Sequence, residues 1–439
     1  MGEERKLSRR EFLRIALGSA AGLIVGGAVG YYISPGKITE EKAPTKVEIP
    51  EVIKIGSAHP LTGWDASNGR EMHRGTEMAI EEINNQGGIF GAEIEWIELD
   101  SEDMSAEKMT SVMTTLATSK QVHWVIYGYT ATYAPTYRTL AQYDIPFMHV
   151  DTASEFIDWI KENPDKKHLA WMADAYDLYY GIGFSIFIDN LIKKEVWTPR
   201  NKKFAVLRGE DVFAQRIAEK FIEEMTGRGW TLAVDQTVSF ETVEFGPFLT
   251  KVREEDPDVI LNTDWSPTGF ANFMIQFTEN PTQSLIYGQW APSTPEFKDL
   301  AGDAANGLIW SSVIGWLPLD TDPIAKEWYQ KYKNKYNEEP GLMAAVCYDM
   351  IWLWANAVAI TGSIDPVKME PVLEKLLYRG VCGTYNFVKD EHYCICYPDD
   401  VYDPSLGLPH WHFQIKEGSD VTIAPDPYAE EEFETPPWF

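Results

Sequence analysis

From Val52 onward, short apolar runs alternate with stretches whose apolar residues recur every three or four positions. That alternation predicts strands and helices in turn, wound into mostly parallel sheets. Val52-Ile53-Lys54-Ile55-Gly56 predicts a first strand. Met72, Gly75, Thr76, Ala79, Ile80 and Ile83 share one helical face, which stops at Gly87-Gly88, where glycine takes a left-handed cap. Ile94 to Leu99 predicts a second strand, Met109, Val112, Met113, Leu116 and Ala117 a second helix, Trp124 to Tyr127 a third strand and Ile145 to Val150 a fourth. The alternation restarts after residue 174. Phe204 to Leu207, Val259 to Asn262 and Leu285 to Gly288 predict strands, and Ile217, Phe221, Ile222 and Met225 a helix face. Residues 322–361 read as helical, with Ala344, Cys347, Tyr348, Ile351 and Trp352 on one stripe, and the acidic, proline-containing 419–439 as extended or loosely docked.

Composition narrows the classes. At about 100 to 200 residues per domain, 439 residues predict two or three domains. The 13% aromatic residues, 16 Trp among them, supply more burial than a disordered chain carries. A net charge of −29 repels phosphate backbones, so no nucleic-acid partner is expected. Four cysteines are too few for a disulfide-built scaffold.

The basic exception is the front. Arg9-Arg10-Glu11-Phe12-Leu13 followed by the apolar Ile15 to Ile33 forms a basic region and a hydrophobic region. It resembles the twin-arginine export signal, which implies the twin-arginine machinery as a partner and an extracytoplasmic destination. The 19 apolar residues also suffice to span a bilayer, so residues 1–36 are read as a signal or an N-terminal membrane anchor, and 37–50 as a linker.

The body resembles the type I periplasmic binding proteins that deliver branched-chain amino acids, amides or urea to ABC importers, the Leu/Ile/Val-binding kind. The resemblance rests on order and spacing over residues 51–416: Pro60-Leu61-Thr62-Gly63, Gly75 with Ala79-Ile80-Glu81-Glu82-Ile83-Asn84, Gly87-Gly88-Ile89-Phe90-Gly91, Phe245-Gly246-Pro247-Phe248-Leu249, Asp256-Pro257-Asp258-Val259-Ile260, and Tyr348-Asp349. It implies an α/β fold of two Rossmann-like lobes joined by a three-strand hinge, a Venus flytrap. Lobe one is expected over 51–173 plus 315–409, lobe two over 174–314 plus 410–418, and an acidic tail over 419–439. A small solute held by hinge closure and handed to an ABC permease is the implied function. No enzyme activity and no cofactor is expected.

The same resemblance nominates the ligand contacts. Trp64 and Asn68 come from the loop after the first strand; Tyr129, Thr130, Ala131 and Thr132 follow the third, and Asp151, Thr152 and Ala153 the fourth. Hydroxyls and peptide N–H groups grip a small polar head without adding a full charge. In amino-acid-binding members, two loops of the second lobe carry a tyrosine and an acid for the ligand ammonium. Trp265 and Trp290 stand at those positions here. A buried ammonium needs a carboxylate, so Asp151, Asp174, Asp177 or Asp264 is expected to replace the lost charge. Trp64, Tyr129, Trp265 and Trp290 are the expected aromatic lining, suited to a planar molecule or to a cation on ring faces.

Nothing in the sequence assembles a nucleophile with its base, and no phosphate loop or His-Glu-x-x-His motif is present. His410 and His412 share a strand face without an evident third ligand, so no metal site is expected. Cys382 with Cys394 or Cys396 allows a cross-strand disulfide on a hairpin bending near Lys389-Asp390-Glu391, with Cys396 the choice of the two. The competing class is a ligand-sensing receptor domain, which needs a cytoplasmic output domain that the sequence after residue 33 does not supply.

Overall fold

The computed structural model of the protein describes residues 47–315, 319 and 322–439. The export or anchor segment, with Arg9 and Arg10, and the linker up to residue 46 lie outside the described residues. Two compact units emerge. Of the described residues, one comprises 47–151, Glu155–Ala173 and Pro323–Tyr393; the other comprises Thr152–Ser154, the described part of Asp174–Asp322 and Cys394–Phe439.

The first unit opens with β1 (Val52–His59), α1 (Ala66–Asn85), β2 (Glu93–Asp100), α2 (Ala106–Thr118), β3 (Trp124–Ile126), α3 (Tyr133–Gln142), β4 (Phe147–His149), α4 (Ser154–Glu162) and β5 (Ala170–Met172). Its five strands run in the order β2-β1-β3-β4-β5, all parallel. All six residues assigned to the apolar face of α1 are buried. The strand order reverses between β1 and β3, and the crevice beyond the carboxyl ends of strands at such a reversal is where open α/β sheets bind ligands.

The second unit continues with α5 (Leu178–Lys193), β6 (Lys203–Gly209), α6 (Val212–Gly227), β7 (Thr231–Val238), α7 (Gly246–Glu255), β8 (Val259–Asn262), α8 (Pro267–Thr278), β9 (Leu285–Gly288), α9 (Pro295–Ala301) and β10 (Ile309–Ser312). Ala205 and Leu207 of β6 join one hydrophobic core, and Phe204 and Val206 another. Successive side chains of a strand point to opposite faces, so two cores flank the sheet and its strands read as continuous apolar runs.

The chain then returns to the first unit as α10 (Pro323–Tyr336), α11 (Leu342–Thr361), α12 (Pro366–Leu373) and the hairpin β11 (Tyr378–Arg379) with β12 (Thr384–Tyr385). Among the described residues α11 alone is long and apolar enough to cross a membrane. Most of it is buried and it packs along α1, as a core helix does. The last elements, β13 (Cys396–Tyr397), β14 (Leu408–Pro409), β15 (Trp411–Lys416) and β16 (Ser419–Ala424), belong to the second unit. There β15 pairs antiparallel with β10, and β16 with β15, giving the order β16-β15-β10-β9-β8-β6-β7. The order reverses between β6 and β8.

Three expectations are corrected. Residues 394–409 lie in the second unit, not with the first lobe, because Cys394 N–H bonds to the Asp174 carbonyl (2.8 Å) and β14 leads directly into β15. The tail is not loosely docked: 419–424 form the edge strand β16, Gln414 exchanges two hydrogen bonds with the Glu434 backbone (2.7 and 3.0 Å), and Trp438 donates to the Ser284 carbonyl (2.9 Å). The expected disulfide between Cys382 and Cys396 is not formed. All four cysteines are free and buried. Cys382 sits in the β11–β12 connection, where its N–H bonds to Asp349 (2.8 Å), while Cys394 and Cys396 belong to the other unit.

Candidate functional site

Each unit places loops at the reversal of its own sheet. In the first unit, the loop after β1 is fastened to Asp100, whose carboxylate accepts the N–H groups of Leu61 (3.0 Å) and Thr62 (3.3 Å) and the Thr62 hydroxyl (2.6 Å). Trp64 at its tip is 63% exposed. The next residue, Asp65, is buried and accepts the Tyr129 hydroxyl at 2.5 Å and Asn68 Nδ2 at 2.7 Å; Asn68 Nδ2 also reaches the Tyr129 oxygen at 2.9 Å. Burial raises the Asp65 carboxyl, against the lowering effect of those two donors. Asn68 and Tyr129 are therefore brought together, by an aspartate the sequence reading passed over in favour of Trp64. No periodicity separates a buried Asp65 from an exposed Trp64 beside it.

After β3, Thr130 is buried and its oxygen accepts the Thr132 N–H (3.1 Å), while the Thr132 hydroxyl donates to the Met104 carbonyl (2.7 Å). These hydroxyls brace the loop; Ala131 between them is exposed. Asp151 accepts the Thr130 N–H (2.7 Å) and the hydroxyls of Tyr137 (2.7 Å) and Tyr127 (3.1 Å), with His149 Nδ1 3.0 Å away. Its carboxylate is spent inside the first unit.

In the second unit, Thr152 donates its hydroxyl to Asp174 beside buried Ala153. Asp177 accepts the N–H and hydroxyl of Ser154 (3.1 and 3.0 Å) and the Leu178 N–H at the start of α5 (2.9 Å). At the reversal between β6 and β8, Asp211 caps α6 through the Ala214 N–H (3.1 Å) and accepts Trp265 Nε1–H (3.1 Å). Trp265 lies against Phe240, ring centroids 4.5 Å apart. Trp290, after β9, is half-buried with φ 60°.

Asp264 lies in the loop after β8, and Asp174 shares its burial and an oxygen, Oδ1, without a hydrogen bond among the described residues. Asp264 is fully buried, and its Oδ1 accepts the Ser266 N–H (3.0 Å), while Oδ2 has no hydrogen-bond partner among the described residues. Asn262 beside it is in the same state: Oδ1 accepts the Asp264 N–H (2.9 Å) and Nδ2 has no partner among the described residues. Burial pushes the Asp264 carboxyl up to about 6; the Ser266 N–H opposes the shift, and the charges of Asp211 and Glu210 add to it. Buried polar atoms are nearly always paired, yet Asp264 Oδ2 and Asn262 Nδ2, beside the strand-order reversal, have no hydrogen bond among the described residues.

The chain matches the family described as periplasmic binding protein over residues 52–395. It belongs to that family. A relative, the leucine-, isoleucine-, valine-, threonine- and alanine-binding protein of Pseudomonas aeruginosa, is 22% identical over 339 residues, 77% of this chain and 86% of the relative. A crystal structure assigned as a branched-chain amino acid ABC transporter from Silicibacter pomeroyi is 30% identical with a TM-score of 0.84, covering 88% of this chain and all of that one. A branched-chain amino acid transporter substrate-binding protein of Streptococcus pneumoniae, in complex with isoleucine, matches with a TM-score of 0.67 at 22% identity over 85% of this chain and 100% of that one. Such relatives are solute-binding proteins of transporters, not enzymes. Family membership establishes the type I periplasmic binding protein fold and a substrate-binding protein of the branched-chain amino acid ABC transporter type. It also implies an extracytoplasmic location, a small-molecule ligand and permease partners.

Proposed function

We propose that this protein captures a small nitrogen-bearing solute, an amino acid, amide, urea or related compound, by closure of its two units, and delivers it to the permease without chemistry. The observation that carries this reading is Asp264, a buried carboxylate with one oxygen open, in the loop that also carries Trp265. It takes over the charge that Trp290 cannot supply, because a buried ammonium or amide N–H requires an acceptor. On the first-unit side, the loop carrying Tyr129, Thr130, Ala131 and Thr132 offers the peptide N–H groups that open α3, whose N-cap Thr132 makes no side-chain cap. Those amides suit a carboxylate or amide oxygen.

Thermal shift against amino acids, amides, urea, polyamines and aromatic acids tests the proposal. A ligand at one hundred times its Kd stabilises the native state by about 2.7 kcal/mol. The expected result is a shift with solutes bearing an N–H donor. A shift confined to aromatic acids without nitrogen refutes the reading.

We also propose export by the twin-arginine route, with Ile15 to Ile33 acting as signal or anchor. Replacing both arginines, Arg9→Lys with Arg10→Lys, is expected to hold the protein in the cytoplasm; unchanged export rules the route out.

A further inference from the structure

His410 precedes β15 and His412 lies within it, their ring centroids 4.6 Å apart. The sequence offers no third ligand to this pair, but the fold supplies two to His410. The turn that follows β13 brings Asp399 against the ring, with Oδ2 2.7 Å from Nδ1. Cys396 completes a group in which one ligand atom each of thiol, carboxylate and imidazole lie within 4.8 Å of one another. Cys396 and His410 are fully buried, and the Asp399 side chain is 1% exposed. Gly183 of α5 leaves the room: a Cβ there would stand 2.1 Å from the His410 ring and 3.0 Å from Asp399 Oδ2.

The far side of the ring meets a chain of hydroxyls and an amide. The Gln289 amide oxygen accepts the Tyr287 hydroxyl at 2.8 Å. The Tyr287 and Ser311 hydroxyl oxygens lie 2.6 Å apart, and either can donate to the other. Ser311 Oγ stands 3.0 Å from His410 Nε2. Nδ1 on the other side of the ring faces the Asp399 carboxylate in a buried site, where a proton or a cation bridges the two. The adjacent Cys396 thiol favours the cation, since an N, O and S set is a transition-metal set. The contact between Nε2 and Ser311 is the kind of outer contact that orients a ligating histidine.

A cavity of the second unit reaches the Asp399 side of the group. Asp399 and His412 are part of the wall of a cavity of about 430 Å³ whose lining also includes Asp426, Glu430, Glu431 and Glu432. Lys194, also in the lining, pairs with Asp426 at 2.7 Å, and the acidic excess that remains concentrates cations. His412 Nε2 has no hydrogen-bond partner among the described residues. The other mixed group, Glu370, Glu374 and His392, already holds a cation: Lys167 Nζ stands 3.3 Å from Glu370 and 3.7 Å from Glu374.

We propose that Cys396, Asp399 and His410 bind a divalent transition-metal ion of the zinc class through thiolate, carboxylate and imidazole Nδ1, pinning the turn after β13 to β15. The thiol proton passes to solvent as the sulfur–metal bond forms. The site is separate from the loops assigned to the solute. The test is titration of the full chain, reduced and stripped with chelator, with Co²⁺. One ion per chain is expected, with a thiolate-to-cobalt charge-transfer band that Zn²⁺ displaces. Cys396→Ser removes the band, Cys394→Ser and Cys382→Ser keep it, and Asp399→Asn, which preserves shape, weakens binding at least tenfold. Circular dichroism confirms folding of each variant. Absence of uptake, a band that survives Cys396→Ser, or a band lost in Cys394→Ser overturns the proposal.

Discussion

Gly75 on α1 faces the carbonyl of Ala344 on α11 so closely that a Cβ at Gly75 would fall 2.0 Å from that oxygen. The obstacle is backbone, so the two helices would have to part. Gly75→Ala is expected to cost about 3 kcal/mol, the upper range for overpacking a close contact. Urea unfolding measures it; a loss below about 0.5 kcal/mol, the size of an ordinary surface change, would show that the helices do not meet this tightly.

Asp264 sets stability against binding. Its carboxyl titrates near 3.8 when unfolded and is pushed up to about 6 by burial in the native state. A raised carboxyl contributes stability in full below 3.8, and that contribution is lost as pH rises through 6. Asp264→Asn removes the titration. The variant is expected to exceed the parent in stability by up to about 3 kcal/mol at pH 8 and to match it near pH 4, while losing affinity for N–H-bearing solutes. A stability gap that does not vary with pH would contradict the placement of this carboxylate.

Glu98 behaves in the opposite sense. Burial alone would raise its carboxyl, but His59 Nδ1 at 2.7 Å and His73 Nδ1 at 2.6 Å outweigh it and bring the group down to about 2. A depressed carboxyl contributes stability above 4.5, lost as pH falls through 2. The loss is about 3 kcal/mol. Acid titration of native fluorescence should show this limb in the parent, and Glu98→Gln should flatten it.

Trp265 and Trp290 report on the solute. Solute addition is expected to change tryptophan emission, and Trp265→Phe, which loses the bond to Asp211, to diminish the change. Trp290→Ala should lower affinity at least tenfold, about 1.4 kcal/mol. Full affinity in that variant would remove Trp290 from the solute contacts.

What the sequence made legible was whatever repeats. The apolar stripe of α1, the strands β1, β8 and β9 and the helix α11 follow from period alone, and their order pointed to the family. The directions of polar side chains do not follow. Asp151 stands in the right loop, yet the hydroxyls of Tyr127 and Tyr137 turn its carboxylate inward. Asp264 stood as one of four acids until its place beside Trp265 and its raised carboxyl set it apart. Cys396, Asp399 and His410 meet because β14 and β15 return the chain past its own turn, a closure no local pattern encodes. The acidic 419–439 read as tail because charge hid the alternation of β16 and the anchoring Trp438.

Both units are assembled from distant stretches of sequence, and this orders events during synthesis. The first sheet gains α11 only after more than half the chain has been made, and β10 keeps an open edge until β15 and β16 leave the ribosome. An unpaired edge is a template for association with other chains. From the synthesis of Ser312 until that of Trp411 the growing polypeptide therefore carries an exposed, aggregation-competent strand edge, and shielding of that edge over this interval becomes part of its biogenesis.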